Sequence, residues 1–383
     1  MSEPPRSEPQ PAETPVLRSP RIERGDPVPW IDVTLVGRGR VNLEQFAGLR
    51  VALVFLASVG DPRTAAVLHS LLALYGPLPA DVRRNRFVVV PVVVTIDMKK
   101  DGNLLTEWLK VGGLIHDDGL AVHAAFGMTA GRTSVIAAAI SDESLTIRDI
   151  IPFTEPEAFA ASIVVAGMEP AAPSDRPRAP VMTIPDVLSP EECRRFIDHW
   201  RRSSPFESGY MMSREDGKQY EIVDRKRKSR ADIVILPGSP AYDGLWQRFE
   251  KRVHSLVKRY WHFTIREGER FAVAAYTAET GGHFAKHRDF AGPGSHREFA
   301  VTINLNDDFE GGELEFPEFP GEVFKPAVGA AIVYSGAHMH RVRPVTRGTR
   351  FALLAFLMGT DGARTLKDYV ARFGGEYDRV TKD

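Results

Sequence analysis

The side chains with the most chemistry in them lie in the second half of the 383-residue sequence: His287, Asp289, His340 and Arg350. In GGHFAKHRDF (281–290), which follows the strand-like run FAVAAYTAE (271–279), His287 and Asp289 stand two apart. Residues i and i+2 of a strand project to the same side, so an imidazole and a carboxylate are offered to one ion. A third ligand must come from elsewhere, and SGAHMH (335–340) supplies His338 and His340 as candidates. Two histidines and one carboxylate on a triangular face leave three positions open, the arrangement that suits iron(II) oxygenases. The His-Glu-x-x-His helical spacing of zinc proteases is absent from the sequence. Arg350 follows His340 by ten residues and His338 by twelve, across a turn at Pro344 to Thr349. A guanidinium returning there can pair in fork geometry with a carboxylate near the metal, which is how a dicarboxylic cosubstrate would be held. The ten-residue spacing selects His340 as the ligand.

Those side chains need short strands and tight turns to meet, and the surrounding sequence has that character. Runs at 299–305, 313–316, 330–334 and 350–357 are apolar or alternating and punctuated by Gly and Pro, as an all-β core requires. Upstream, EPAAPSDRPRAP (169–180) has the composition of a stiff extended linker. This predicts a disordered tail over 1–25, a first domain over 26–168, a linker over 169–180 and a second domain over 181–375. In the first domain, strand-like runs at 51–57, 87–96, 133–140 and 145–151 alternate with helical stretches after Pro62, near 103–111 and after a Thr154 cap. Such alternation predicts an α/β sandwich. Pro91 argues for a shorter strand than the run at 87–96 suggests, since proline removes a ladder hydrogen bond.

Composition narrows the function. At 43% apolar and 26% charged, the chain is not disordered in bulk and has material for two cores. A net charge of −1 gives no global field for polyanions, so nucleic acid is disfavoured and a small or neutral partner favoured. No apolar run reaches the roughly 18 to 20 residues a bilayer needs, so no membrane partner is expected. The first residues lack an apolar signal region, which predicts a cytoplasmic address. One cysteine, Cys193, permits neither an internal disulfide nor a cysteine cluster, so a metal must use histidine and carboxylate. In SPEECRRFIDHW (189–200), Ser189 can cap a helix, and Cys193 shares its apolar face with Leu188, Phe196, Ile197 and Trp200. Cys193 reads as a small buried apolar residue.

The segments GDPVPWIDVTLVGRGRVNLEQFAGLRVALVFLAS (25–58), VVVTID (92–97), DDGLAVHAAFGM (117–128) and GRTSVIA (131–137) carry a resemblance to the peroxiredoxins of the thioredoxin-like fold. That family's thiolate sits at the start of the helix after the first core strand. Here the region reads ASVGDPRTAAVL (57–68), without cysteine, and Arg132, matching the supporting arginine, has nothing to activate. The resemblance implies a non-catalytic docking or scaffolding module, of a kind that often pairs as a homodimer.

The Tyr276 strand, HFAKHRD (283–289), TINLNDDFEGGELEF (302–316), KPAVGAAIVYSGAHMH (325–340) and HRVRPVTRGTRFALLAF (340–356) resemble the prolyl 4-hydroxylase-related branch of the iron(II)/2-oxoglutarate dioxygenases. The resemblance implies a double-stranded β-helix of jelly-roll type, with flanking helices from 186–202 and 240–260. It implies iron(II) on His287, Asp289 and His340, and 2-oxoglutarate with its far carboxylate on Arg350, where Tyr276 or Thr346 adds a hydrogen bond. Dioxygen is the oxidant, with ascorbate an optional addition. The implied reaction hydroxylates a C–H of an amino acid, a peptidyl residue or a related small metabolite and releases succinate and carbon dioxide. The competing implication is a non-catalytic iron or 2-oxoglutarate sensor that docks through its degenerate first domain. Two departures weigh against peptidyl-proline as substrate. The stretch between Tyr276 and His287 is longer than usual, and Phe284 stands where prolyl hydroxylases often have tyrosine.

Other polar residues have plainer readings. DRKRKSRAD (224–232) reads as a solvated loop or strand edge, its sharper alternative being recognition of an anionic substrate. His338 reads as a surface or supporting residue, His283 and His296 as loop residues near the mouth, and Asp307, Asp308 and Glu310 as turn builders.

Overall fold

The computed structural model describes residues 22–130, 133–169, 177–374 and 378–381. The chain is mixed α/β and divides into two compact units, Met1–Phe46 with Arg50–Pro170 and Ala47–Leu49 with Ala171–Asp383. Most of the expected tail, most of the expected linker and Arg132 lie outside the described residues. No helix among the described residues is long and apolar enough to cross a membrane.

Seven strands of the first unit form one mixed sheet in the order Gly39–Asn42, Asp32–Leu35, Ile115–His116, Phe87–Thr95, Arg50–Ser58, Ala137–Ser141 and Ile147–Pro152. The central strands Arg50–Ser58 and Phe87–Thr95 pair in parallel, and their aliphatic runs are buried on both faces. Pro91 does not shorten its strand, contrary to the sequence reading. The neighbour Ile115–His116 pairs only with Val92 and Val93, so that flank asks for no ladder bond at residue 91. The run at 133–140 splits into Thr133–Ser134 and Ala137–Ser141. Helix Pro62–Tyr75 starts on Asp61, whose carboxylate accepts from the N–H groups of Arg63 and Thr64 at 2.9 and 3.2 Å. This helix start, where the resembling family carries its thiolate, is thus occupied by the chain's own carboxylate. Thr154 does not cap the last helix of the unit. Pro156 takes the first helical position of Pro156–Met168, so the cap falls on Glu155.

The second unit has a larger antiparallel sheet in the order Met182–Ile184, Ala331–Ser335, Phe299–Asn304, Thr349–Met358, Glu267–Thr277, Ala231–Ile235 and Phe206–Glu207. A smaller antiparallel sheet orders Lys228–Ser229, His283–His287, His340–Val342, Leu314–Glu315 and Val323–Phe324. Alternation along the larger sheet separates two cores. Val273, Val301, Val333 and Leu353 face a cluster with Cys193, Ile197, Phe249 and Val257 from the helices. Ala274, Tyr276, Ala300 and Tyr334 face the opposite way and pack with Leu314, Phe316 and Val342. Helix Pro190–Arg202 opens on a capping box, in which Ser189 Oγ accepts from Glu192 N and the Glu192 carboxylate accepts from Ser189 N. Burial of Cys193 inside this packing pushes its thiol up to about 11.

Candidate metal centre

The ligand strand His283–His287 is reached by a short turn from Glu267–Thr277, and glycine makes that turn possible. A Cβ at Gly282 would stand 2.6 Å from the Tyr276 carbonyl carbon and from Thr277 N, so only glycine lets the chain double back this closely. The strand pairs with His340–Val342 in a register that sets His287 directly opposite His340. Asp289 follows in the bend. The structure therefore brings together the three residues singled out in the sequence, with their donor atoms all within 4.8 Å of one another.

His287 Nε2 lies 3.7 Å from Asp289 Oδ1, and His340 Nε2 lies 3.3 Å from Asp289 Oδ2. Neither ring spends its other nitrogen on the carboxylate. His287 Nδ1 donates to the Ala285 carbonyl at 2.8 Å and His340 Nδ1 to the His338 carbonyl at 3.0 Å. With Nδ1 donating, each Nε2 keeps its lone pair for an ion. Burial and the neighbouring His340 hold His287 well below the usual histidine range. Burial works to raise the Asp289 carboxyl, but the two imidazoles prevail and keep it below the usual carboxylate range. The donor set is thus two ring nitrogens and a carboxylate, groups that a metal takes in their deprotonated forms. Asp289 Oδ2 is buried, with His340 Nε2 at 3.3 Å its near polar neighbour and no well-formed hydrogen bond to it. A cation would satisfy that buried oxygen, and the nitrogen and oxygen donors suit iron(II).

The anion side of the site is built on the larger sheet. Arg350 pairs with Tyr276 across two strands, and its guanidinium lies 5.3 Å from the centre of the Tyr276 ring. Arg350 is buried, donating through Nε to Asn304 Oδ1 at 3.0 Å and through Nη2 to Thr302 Oγ1 at 3.1 Å. Its Nη1 is buried without a partner, and among the described residues no carboxylate forms an ion pair with it. Thr346 does not join it. That side chain is exposed on Val345–Arg347, and the hydroxyl beside Arg350 belongs to Thr302. Tyr276 is buried, and its hydroxyl accepts from Arg230 Nη1 at 3.1 Å. Tyr334 sets its ring edge against His340 at 4.8 Å, and Phe284 stacks on His287 at 3.5 Å.

Sequence reasoning missed Arg230, Thr302, Asn304 and Tyr334. The basic run is only partly solvated. Arg225 pairs with Glu207 at the surface, whereas Lys228 and Arg230 turn inward. Lys228 Nζ donates to Ser208 and Gly209, and Arg230 is paired with Asp232 at 2.6 Å. Thr302 and Asn304 did leave a signal, two polar residues at i and i+2 in an otherwise apolar strand. His296 is no mouth residue. It is buried, 2.8 Å from Glu269, which Arg297 also grips through two nitrogens. His283 places Nδ1 2.8 Å from the carbonyl of nearby Gly281 and Nε2 3.2 Å from that of Lys226 in the basic run. His338 faces Glu318 at 3.6 Å rather than the ligand cluster.

Comparison with known proteins agrees with this geometry. The sequence model of the 2OG-Fe(II) oxygenase superfamily matches residues 271–358. A PKHD-type hydroxylase of Paraburkholderia phymatum is 33% identical over 184 residues, 45% of this chain and 75% of that relative. The chain belongs to the 2OG-Fe(II) oxygenase superfamily. It is a dioxygenase that draws on iron(II), 2-oxoglutarate and dioxygen. Among solved structures, a Pseudomonas putida prolyl-4-hydroxylase overlaps 46% of this chain and 91% of its own, at 17% identity and a TM-score of 0.36. A PrxQ mutant of Xylella fastidiosa overlaps 38% of this chain and 95% of its own, at 12% identity and a TM-score of 0.33.

Proposed function

We propose that the second unit hydroxylates a C–H bond of an amino acid, a peptidyl residue or a related small metabolite and releases succinate and carbon dioxide. In this reading His287, Asp289 and His340 hold the iron, and Arg350 with Tyr276 takes the far carboxylate of 2-oxoglutarate. The two sheets of the second unit form a jelly-roll double-stranded β-helix, and the first unit is a thioredoxin-like docking module without a peroxidatic thiol. The hydroxylase name of the relatives supports the reaction class. One observation carries the assignment: His287, Asp289 and His340 bring their donor atoms within 4.8 Å of one another around an unpartnered buried Asp289 Oδ2, and the same unit buries an unpartnered Arg350 Nη1. Leaving either group so is costly unless a guest completes it, and a cation answers the first as an anion answers the second.

When bound, iron(II) and 2-oxoglutarate supply the activation of dioxygen and the electrons for it. The chain orients and shields. The two Nδ1 donations fix the imidazoles so that both Nε2 atoms face the Asp289 carboxylate. The Phe284 and Tyr334 rings cover those imidazoles and keep water from competing. Arg350 is held by Asn304 and Thr302 through two of its nitrogens, which leaves Nη1 for a carboxylate oxygen. Because the Tyr276 hydroxyl accepts from Arg230, its own proton remains for donation to the same carboxylate.

The test is anaerobic loading with iron(II), followed by 2-oxoglutarate and dioxygen, with succinate as the readout. Succinate formation that needs both additions is expected. Binding of both without any succinate would overturn the reading and favour a sensor.

A further inference from the structure

The residue between the two ligands of the bend, Arg288, points away from them. Its guanidinium reaches the segment before the third ligand, where Nη1 donates to the Ala337 carbonyl and Nη2 lies 2.6 Å from Glu318 Oε1. That same oxygen accepts from Met339 N at 2.9 Å. Oε2 of Glu318 lies 3.6 Å from His338 Nδ1, and the neighbouring Phe319 ring packs edge-on against His338 at 5.5 Å. Glu318 is itself buried, its side chain 11% exposed, and Arg288 is equally enclosed at 8%.

We propose that Glu318 is a positioning residue for the metal centre, its carboxylate bracing the His287–Asp289 bend against the segment that delivers His340. The proposal rests on the reading of those three residues as ligands. Glu318 touches none of them. It grips Arg288, one bond away from two of them along the chain, and the backbone of Met339, one residue before the third. The strand pairing alone does not fix this geometry. The ladder between His283–His287 and His340–Val342 breaks register between Phe284 and His287, and Asp289 lies past its end. The brace supplies the constraint where the ladder stops. Prolines on both sides of the Glu318–Phe319 pair, Pro317 and Pro320, limit the backbone freedom of the segment that carries it. Partners beyond the ligands commonly set metal affinity in this way, and removing one costs about 10- to 100-fold.

The experiment titrates cobalt(II) anaerobically into the full-length protein and follows both affinity and the visible ligand-field spectrum. Glu318→Gln keeps an acceptor for Met339 N and forfeits the charge that holds Arg288. Arg288→Met removes the other end of the same bridge. Each single variant is expected to bind cobalt(II) about 10- to 100-fold more weakly with a shifted spectrum. The double variant is expected to match the weaker single one, because the Arg288–Glu318 contact is lost in both singles. Singles within twofold of the unmodified protein, or losses that multiply in the double variant, would overturn the brace. So would metal-free far-ultraviolet circular dichroism showing both singles unfolded, since the pair would then hold the fold rather than the ligands. Failure of the unmodified protein to take up cobalt(II) would instead remove the ligand assignment on which the proposal stands.

Discussion

Each unit of the chain buries a histidine against an aspartate, and the two pairs are finished differently. In the first unit His123 Nδ1 lies 2.7 Å from Asp117 Oδ2, and the aspartate also accepts from the backbone N–H groups of Val122 and His123. The other ring nitrogen reaches the Leu56 carbonyl at 3.1 Å. Every polar atom of that pair has a partner, and the pair ties the helix Ala121–Ala125 to the central strand Arg50–Ser58. In the second unit His340 and Asp289 stand 3.3 Å apart, a second histidine joins them, and Asp289 Oδ2 is left without a donor. Residue type does not separate a structural pair from a ligand set. The polar capacity left over does, because a folded core fills its own needs and a binding site keeps some for the guest.

The contrast breaks most readily at the histidines. His340→Ala should lower iron-dependent succinate formation by at least about a hundredfold, since a lost ligand costs more than a lost outer partner. His123→Ala should instead act on stability, lowering the unfolding free energy of the full chain by about 2–3 kcal/mol as a buried acceptor loses its donor. Denaturant melts beside succinate assays read both. Swapped outcomes, with His340 governing stability and His123 turnover, would reverse the comparison.

Arg350 extends the contrast from cation to anion. Arg350→Ala should raise the 2-oxoglutarate concentration for half-maximal turnover by about ten- to a hundredfold, the value of hydrogen bonds to a charged group. An unchanged requirement would remove Arg350 from the cosubstrate site. At Asp289 the charge itself is the claim. The surrounding groups hold its carboxyl below the usual carboxylate range, so the charged form contributes stability at neutral pH that is lost as pH falls. Asp289→Asn should therefore lower the unfolding free energy of the metal-free protein at pH 7, and an unchanged value on chemical unfolding would mean that the carboxylate adds nothing to the apo fold.

These unfilled valences explain what was legible in the sequence and what was not. His287 and Asp289 announce themselves by their two-residue spacing, although the strand ends at His287 and Asp289 lies in the bend beyond it, and His340 stands opposite His287 through strand pairing. Arg350 was readable by its spacing from His340, and the helix cap at Ser189 by local chemistry alone. The partners of Arg350 and Tyr276 were not, because Asn304 and Thr302 on a neighbouring strand and Arg230 just before the start of another come alongside only after the sheet forms. Thr346 was implied by the resemblance alone, and its side chain is exposed while that of Val345 beside it is buried. His296 looked like a loop residue because its partner Glu269 is 27 positions away. Pro91 misled for a related reason, since the extent of the neighbouring strand decides whether its missing donor matters.

An unfilled valence alone does not make a site, and His254 shows where the criterion needs a second condition. Its Nε2 is also buried without a partner, as are Thr64 Oγ1 and Ser141 Oγ of the first unit. These atoms stand singly, whereas at the metal centre three donors converge. His254 lies in the π-helical turn Glu250–His254, its ring 4.7 Å from that of Trp246. Burial, against a weaker pull from Glu250, pushes its imidazole down to about 4, so the fold holds it neutral. A histidine depressed on folding stabilises above its unfolded value of 6.5, and that contribution is lost as pH falls from there through about 4. The partial exposure of the group screens the effect to about 1 kcal/mol. His254→Phe keeps a ring against Trp246 and has no proton to take up, so its urea midpoint should fall less than that of the unmodified chain between pH 7 and pH 4.5. Parallel midpoints would mean that His254 is already hydrated in the native state. Its unfilled nitrogen would then owe nothing to burial, and only convergent donors would remain as the mark of a site.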